Sequence, residues 1–194
     1  MPKSVDSEER RHELTDAAAR VIARSGIGAA TMREVAAEAG WTTGTLTHYF
    51  TDKHDLLLRT FQASLEGRRA QRIERDLAGP DASLRLALAG ALPIDEDIRR
   101  HWMVTIACCS QASGDPELAI AQRDAYRDHR ANITALVQAC TAERGAAAVH
   151  TAERLIALTD GIALQALFDP ESWPPKRQWA ALDEALATLP ALTR

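Results

Sequence analysis

The chain has 194 residues, 46% of them hydrophobic, 26% charged and 5% aromatic, with a formal net charge of −4. That is enough apolar material for a sizeable core, in one domain or in a small module beside a larger one, and no stretch reaches the ~18 to 20 uninterrupted apolar residues of a membrane span. The charged start from Met1 to Arg11 lacks the basic-then-apolar pattern of an export signal, so a cytoplasmic protein with no membrane partner is expected.

Alanine supplies 37 residues, while β-branched and aromatic residues are sparse and nowhere alternate over a strand's length, so the expectation is an all-α chain of about nine helices. Asp6 and Ser7 are good N-caps for a first helix whose apolar residues Leu14, Ala18, Val21 and Ile22 form one stripe, stopped at Ser25-Gly26. Thr31-Met32-Arg33-Glu34 reads as a capping box, in which the Thr31 hydroxyl accepts from the Glu34 N–H and the Glu34 carboxylate reaches back to the cap. Met32, Val35, Ala36 and Ala39 then share a face, and Gly40 ends this short helix. Thr42 caps a third helix, Thr43 to Phe50, with Leu46, Tyr49 and Phe50 turned inward and Thr43, Thr45, Thr47 and His48 turned out. Two helices this short cannot bury themselves alone; with the first helix as a wall, residues 7–50 make a compact three-helix unit.

A long helix follows from Thr51-Asp52-Lys53 to about Leu77, a strut of ~35 to 40 Å with Leu56, Leu57, Phe61 and Leu65 near one face. Further helices are expected at 82–92, 95–112, 116–143, 147–168 and 175–189, with no repeat or linker between them, so the chain divides into residues 1–51 and a helical bundle of residues 52–194.

Residues 31–50 have the layout of a helix-turn-helix: a capped helix, small residues at Ala36 and Ala37 where helices approach closely, Gly40 at the turn, and a second helix with a polar outer face. A DNA major groove admits one helix, whose start must offer short polar groups to base edges while its rear is anchored. Within residues 8–61, the run T-M-R-E-V-A-A-E-A-G-W-T-T-G-T-L-T-H-Y-F-T-D-K-H-D-L-L resembles the DNA-binding domain of TetR-type transcriptional regulators. The resemblance implies that Thr31, Thr42, Thr43, Thr45, His48, Tyr49 and Lys53 face double-stranded DNA. Thr31 and Lys53 would hold phosphates from two helix N-termini, and Thr43, Thr45, Thr47 and His48 would face bases. Thr47 stands where the family often has Tyr, and Trp41 where a small aliphatic is usual. Trp41–Phe50 contains neither Lys nor Arg, so bidentate guanine contacts are missing from this helix and specificity leans on threonine contacts to thymine methyls, on water, and on Arg33 near the groove. Lys3, Arg10 and Arg11 are candidates for backbone or minor-groove contacts.

The stretches A-L-P-I-D-E-D-I-R-R-H-W, S-G-D-P-E-L-A and D-G-I-A-L-Q-A-L-F-D-P resemble the C-terminal domain of the choline-responsive, BetI-type subgroup of the same family. This resemblance implies a bundle for ligand binding and dimerisation and leaves the ligand open. Trp102, Thr105, Ile106 and Cys109 share one helix face, either plain core or pocket wall; with Phe61, Gln62, Tyr126, His129 and Gln165 they form the candidate set for a small-molecule effector. Cys108 and Cys109 point ~100° apart, poor geometry for a disulfide or a shared metal, and read as buried small hydrophobes. Arg68, Arg69, Arg72 and Arg75 read as a solvated helix face. No catalytic constellation, metal-ligand spacing or cofactor loop is present in the sequence, so neither an enzyme nor a resident cofactor is expected.

The last two helices carry Leu155, Leu158, Ile162 and Leu164, then Trp179, Leu182, Leu186 and Leu189, more apolar surface than a monomer should expose. Pairing across a two-fold axis gives a homodimer held by Leu155, Leu158, Ile162, Trp179, Leu182 and Leu186, which would read an inverted repeat with half-sites ~34 to 36 Å apart. The family resemblance and the long helix together imply a repressor in which ligand in the bundle moves that helix and weakens DNA binding, with a coupling of ~1 to 3 kcal/mol. The competing readings are a constitutive DNA-binding protein whose cavity is filled by side chains, and a helical enzyme or interaction module with a look-alike helix-turn-helix.

Overall fold

The computed structural model describes residues 3–75 and 80–190, without the side chains of 3–6, 67–75 and 80–82. Among the described residues there are nine helices and no strand: α1 (Lys3–Ala29), α2 (Met32–Ala39), α3 (Thr43–Leu46), α4 (Lys53–Arg75), α5 (Pro80–Ala89), α6 (Glu96–Gln111), α7 (Pro116–Cys140), α8 (Gly145–Phe168) and α9 (Pro175–Ala187). The all-α expectation and the helix order hold. None of these helices is long and apolar enough to cross a membrane.

The boundaries differ in instructive ways. α1 starts at Lys3, ahead of the expected caps, but its regular path breaks at Gly26 (φ 79°, ψ 167°), where Ser25-Gly26 marks the stop. α3 ends at Leu46 rather than Phe50, because the chain tightens there into i→i−3 bonds, His48 N–H to the Thr45 carbonyl (3.2 Å) and Tyr49 N–H to the Leu46 carbonyl (2.9 Å). Threonines at 43, 45 and 47 favour this shortening, since β-branching and a hydroxyl that competes for backbone groups both weaken a helix. α7 stops at Cys140 and not at 143, because the Thr141 hydroxyl bonds back to the Val137 carbonyl (2.8 Å) and accepts from the Glu143 N–H (3.1 Å). The expected end of α4 at Leu77, and the side chains of Asp6, Lys3 and the Arg68, Arg69, Arg72, Arg75 cluster, lie outside the described residues.

The chain packs as two compact units. The first gathers residues up to Gly67 with Arg100–Gln122, and the second Arg68–Arg99 with Arg123 onward. The first core unites Leu14, Ala18, Val21 and Ile22 of α1, Val35 and Ala36 of α2, Leu46 and Phe50, Leu56, Leu57 and Phe61 of α4, Val104 and Cys108 of α6, and Leu118 of α7. The short helices therefore lean on more than α1, and the cut expected after residue 51 lies within this packed unit. The second core joins Leu84, Leu88 and Leu92, Ile133 and Val137 of α7, Ala152, Leu155, Ile156 and Ile162 of α8, and Leu182 of α9. Arg85 ties α5 to α9 through a fork onto both carboxylate oxygens of Asp183 and lies 4.0 Å from the centre of the Trp179 ring.

Candidate nucleic-acid interface

The candidate interface is built on three helix starts. α2 is held to α1 by one carboxylate that takes two guanidiniums: Arg20 Nε and Arg24 Nη2 donate to Glu38 Oε1 and Oε2, both at 2.9 Å. Those hydrogen bonds, Arg20 first and Arg24 second, hold the Glu38 carboxyl below its ordinary range. At the start of α2 the Thr31 hydroxyl accepts from the Glu34 N–H at 3.2 Å, as the capping pattern predicts. The return arm is absent: the Thr31 N–H donates to the Ala29 carbonyl (2.7 Å), so only half of the box forms.

Gly40 (φ 73°, ψ 23°) closes α2 in a Schellman turn, with its own N–H on the Ala37 carbonyl (3.1 Å) and the Trp41 N–H on the Ala36 carbonyl (2.8 Å). Trp41 is half-buried against the first core and lies 5.5 Å from the Arg10 guanidinium. A Gly40→Ala change places a Cβ in the left-handed region and is expected to cost about 1 kcal/mol, read as a lower urea midpoint at unchanged slope.

Thr42 caps α3 by accepting from the Thr45 N–H (3.2 Å), and its hydroxyl also pairs with that of Thr45 (3.0 Å). Leu46 and Phe50 are 0% and 1% exposed and fasten the segment to the core, with Tyr49 half-buried beside them. Thr43, Thr47 and His48 are exposed and Thr45 is half-buried. The Thr47 hydroxyl donates to the Gly44 carbonyl (2.9 Å), leaving its oxygen as an acceptor and its methyl as an apolar contact.

α4 opens with a reciprocal cap that the sequence reading missed, although its Asp-x-x-Asp spacing was visible. Asp52 Oδ1 accepts from the Asp55 N–H (2.9 Å), and Asp55 Oδ2 accepts from the Thr51 N–H (3.0 Å). The half-buried Lys53 begins the helix with its Nζ donating to the Gly28 carbonyl at 3.3 Å, one of three donors it carries. Arg11, Arg20, Arg24 and Arg59 are all held by carboxylates, whereas exposed Arg33 makes no ion pair among the described residues. The Glu38 clamp and the Arg10–Trp41 contact join residues well beyond one helical turn of each other in sequence, so no local pattern announces them.

The effector candidates divide between the two units. In the first, Phe61 is core at 1% exposure, Thr105 is buried, Trp102 and Ile106 are half-buried, and Gln62 and Cys109 are exposed. His101, which stood outside the effector candidates, lies 2.6 Å from the Ser64 hydroxyl and 3.3 Å from that of Thr105. In the second unit, Tyr126 donates its hydroxyl to Asp160 (2.8 Å), Gln165 donates to the Gly161 carbonyl (3.2 Å), and His129 is half-buried. Of the adjacent thiols only Cys108 is buried; Cys109 is exposed, which corrects the reading of both as buried. Burial pushes the Cys108 thiol up to about 12, far from a reactive thiolate.

Among the residues expected at a dimer contact, Leu155 (5%), Ile162 (3%) and Leu182 (0%) are buried in the chain's own second core, and Trp179 and Leu186 are half-buried against it. Leu158 is exposed, and so are Val149, Leu164 and Phe168 on the same helix.

Two family descriptions match: bacterial regulatory proteins of the tetR family over residues 14–60, and the C-terminal domain of BetI-type transcriptional repressors over residues 80–191. The HTH-type transcriptional regulator PksA of Bacillus subtilis (strain 168) is 33% identical over 174 residues, 88% of this chain and 84% of that protein. The HTH-type transcriptional regulator BetI of Paraburkholderia phytofirmans is 31% identical over 184 residues, 91% of each. A transcriptional regulator from Rhodococcus sp. Rha1 superposes with a TM-score of 0.82 at 30% identity, covering 92% of this chain and 95% of its own. A transcriptional regulator from Saccharomonospora viridis, solved in complex with choline, shares the fold with a TM-score of 0.83 at 22% identity, covering 93% and 97%. The chain is a member of the TetR family of DNA-binding transcriptional regulators, with a C-terminal domain of the BetI type.

Proposed function

We propose that the protein is a ligand-responsive repressor that binds a palindromic operator as a homodimer and releases it when a small molecule enters the bundle. The observation that carries the DNA side is the exposed set Thr31, Arg33, Thr43, Thr47 and His48 around a short helix whose rear, Leu46 and Phe50, is fully packed. Thr31 and Lys53 serve phosphates, and Thr43, Thr47 and His48 serve base edges, with Thr42, Thr45 and Tyr49 completing the surface. The dimer rests on the apolar residues that α8 leaves exposed, Leu158, Leu164 and Phe168. Residues 1–51 then read DNA, residues 52–194 hold effector and partner, and α4 carries the effector's influence to Lys53. Choline, bound by the Saccharomonospora viridis neighbour, is the first compound to try as an effector.

Selection of bound fragments from random duplex DNA tests the reading: an inverted repeat supports it, and an absence of any enriched duplex at low ionic strength defeats it. On the selected duplex, Lys53→Ala is expected to weaken binding at all sequences and to lower the slope of log K against log salt by about 0.9 for the lost phosphate contact. An unchanged slope in a folded variant removes that residue from the phosphate contacts.

A further inference from the structure

We propose that His54 is a positioning residue for operator binding, tying the first turn of α4 to the first turn of α7 through carboxylates at both of its ring nitrogens. The proposal rests on the reading of the adjacent Lys53 as a phosphate contact. His54 Nδ1 lies 3.0 Å from Asp115 Oδ2, and Nε2 lies 3.3 Å from Glu117 Oε2. A neutral imidazole carries one N–H and one lone pair, so it turns a lone pair toward one of these carboxylates. Only the imidazolium donates to both.

Each end of the tie is fixed. Asp115 is the N-cap of α7, its Oδ1 accepting from the N–H groups of Glu117 (3.1 Å) and Leu118 (3.2 Å), so it cannot swing away without uncapping that helix. Leu118 and, just after His54, Leu56 and Leu57 sit in one core. The charged groups facing the ring are Asp115 and Glu117 from α7 and Asp52 from the turn before α4. Asp55, on the ring's own helix, is taken by Thr51 and Arg59. The Glu117 hydrogen bond is the largest influence and raises the basicity of His54; burial opposes it, and the charges of Asp115, Glu117 and Asp52 add to it.

Two consequences share one sign. The charged ring holds the turn that carries Lys53, and it offsets carboxylates that would otherwise repel an anionic duplex. An anionic duplex favours the charged ring, so the complex holds the His54 proton more tightly than the free protein does, and operator affinity falls as pH rises through the His54 value. The side chain of His54 is 47% exposed, which keeps the effect modest, about two- to fivefold in Kd.

The test is fluorescence anisotropy on a duplex selected by the wild-type protein, at fixed ionic strength, from about pH 5.5 to about pH 8.5. Wild-type Kd is expected to rise about two- to fivefold across that range. His54→Gln should lose that step and bind at every pH like the wild type at high pH. Glu117→Gln should move the step to lower pH, and it decides the matter if His54→Gln fails to fold. Identical profiles for the wild type and His54→Gln, or a step unmoved by Glu117→Gln, overturn this proposal alone. A wild-type protein that binds no duplex at any pH overturns the DNA-contact reading as well.

Discussion

Replacing Leu46 by alanine is expected to cost about 3 kcal/mol of stability and to lower operator affinity more than tenfold in protein that is still folded. α3 has only four residues, too few for its own hydrogen bonds to hold it, so its place depends on what it buries. Leu46 is its one buried residue, seated in a core with Leu14, Ile22, Val35, Leu56 and Phe61. Truncation removes the contacts of three carbons and leaves a cavity in the core that residues of α1, α2 and α4 share, which cannot collapse without moving α3 itself. Thr47→Ala is the control: it is exposed and loses only the bond to Gly44, so its stability should change by less than about 0.5 kcal/mol. Urea unfolding followed by circular dichroism measures the first quantity and anisotropy the second. A Leu46→Ala protein with a cost under about 1 kcal/mol and native affinity refutes the view that packing behind α3 sets its posture on DNA.

What was legible in the sequence was whatever a few neighbouring residues decide. The Thr31 and Thr42 caps, the Gly40 stop and the Gly26 break each depend on one residue's conformational freedom or on one side chain reaching three positions ahead, and each is where the sequence places it. The length of α3 was not legible, because Leu46, Tyr49 and Phe50 keep helical spacing even though the threonines between them let the turn tighten. The inward face of the last helices was readable as apolar, but its partner was not. Leu155, Ile162 and Leu182 have the same spacing whether they meet a second copy or their own core, and only the packed chain assigns them to the latter. The same limit hides Glu38 between Arg20 and Arg24, and His54 between Asp115 and Glu117, since those ion pairs close loops of 14 to 63 residues.

A charge at Phe168 is expected to split the proposed homodimer into monomers, and operator affinity should fall about a hundredfold or more as two-site avidity is lost. α8 buries Leu155, Ile156, Ile162, Ala163 and Leu167 on one side. On the other it exposes Leu164 (46%) and Phe168 (75%), one turn apart, with Ala157 and Gly161 on the same side and Leu158 (37%) flanking. A Cβ at Gly161 would meet nothing within 4 Å, so this stretch of the helix is open to close approach. At a two-fold contact every residue appears twice, so Phe168→Asp removes two aromatic side chains, each worth about 1.5 to 3 kcal/mol when buried, and brings two like charges toward one axis. Because Phe168 is so exposed in the single chain, the substitution leaves the chain's own core intact, and the monomer should keep its helical content. Phe168→Leu, which keeps the apolar contact, should remain a dimer. Light scattering after size-exclusion chromatography reads the mass, and a Phe168→Asp protein that elutes with the mass of a dimer and keeps native affinity moves the partner contact away from this face of α8.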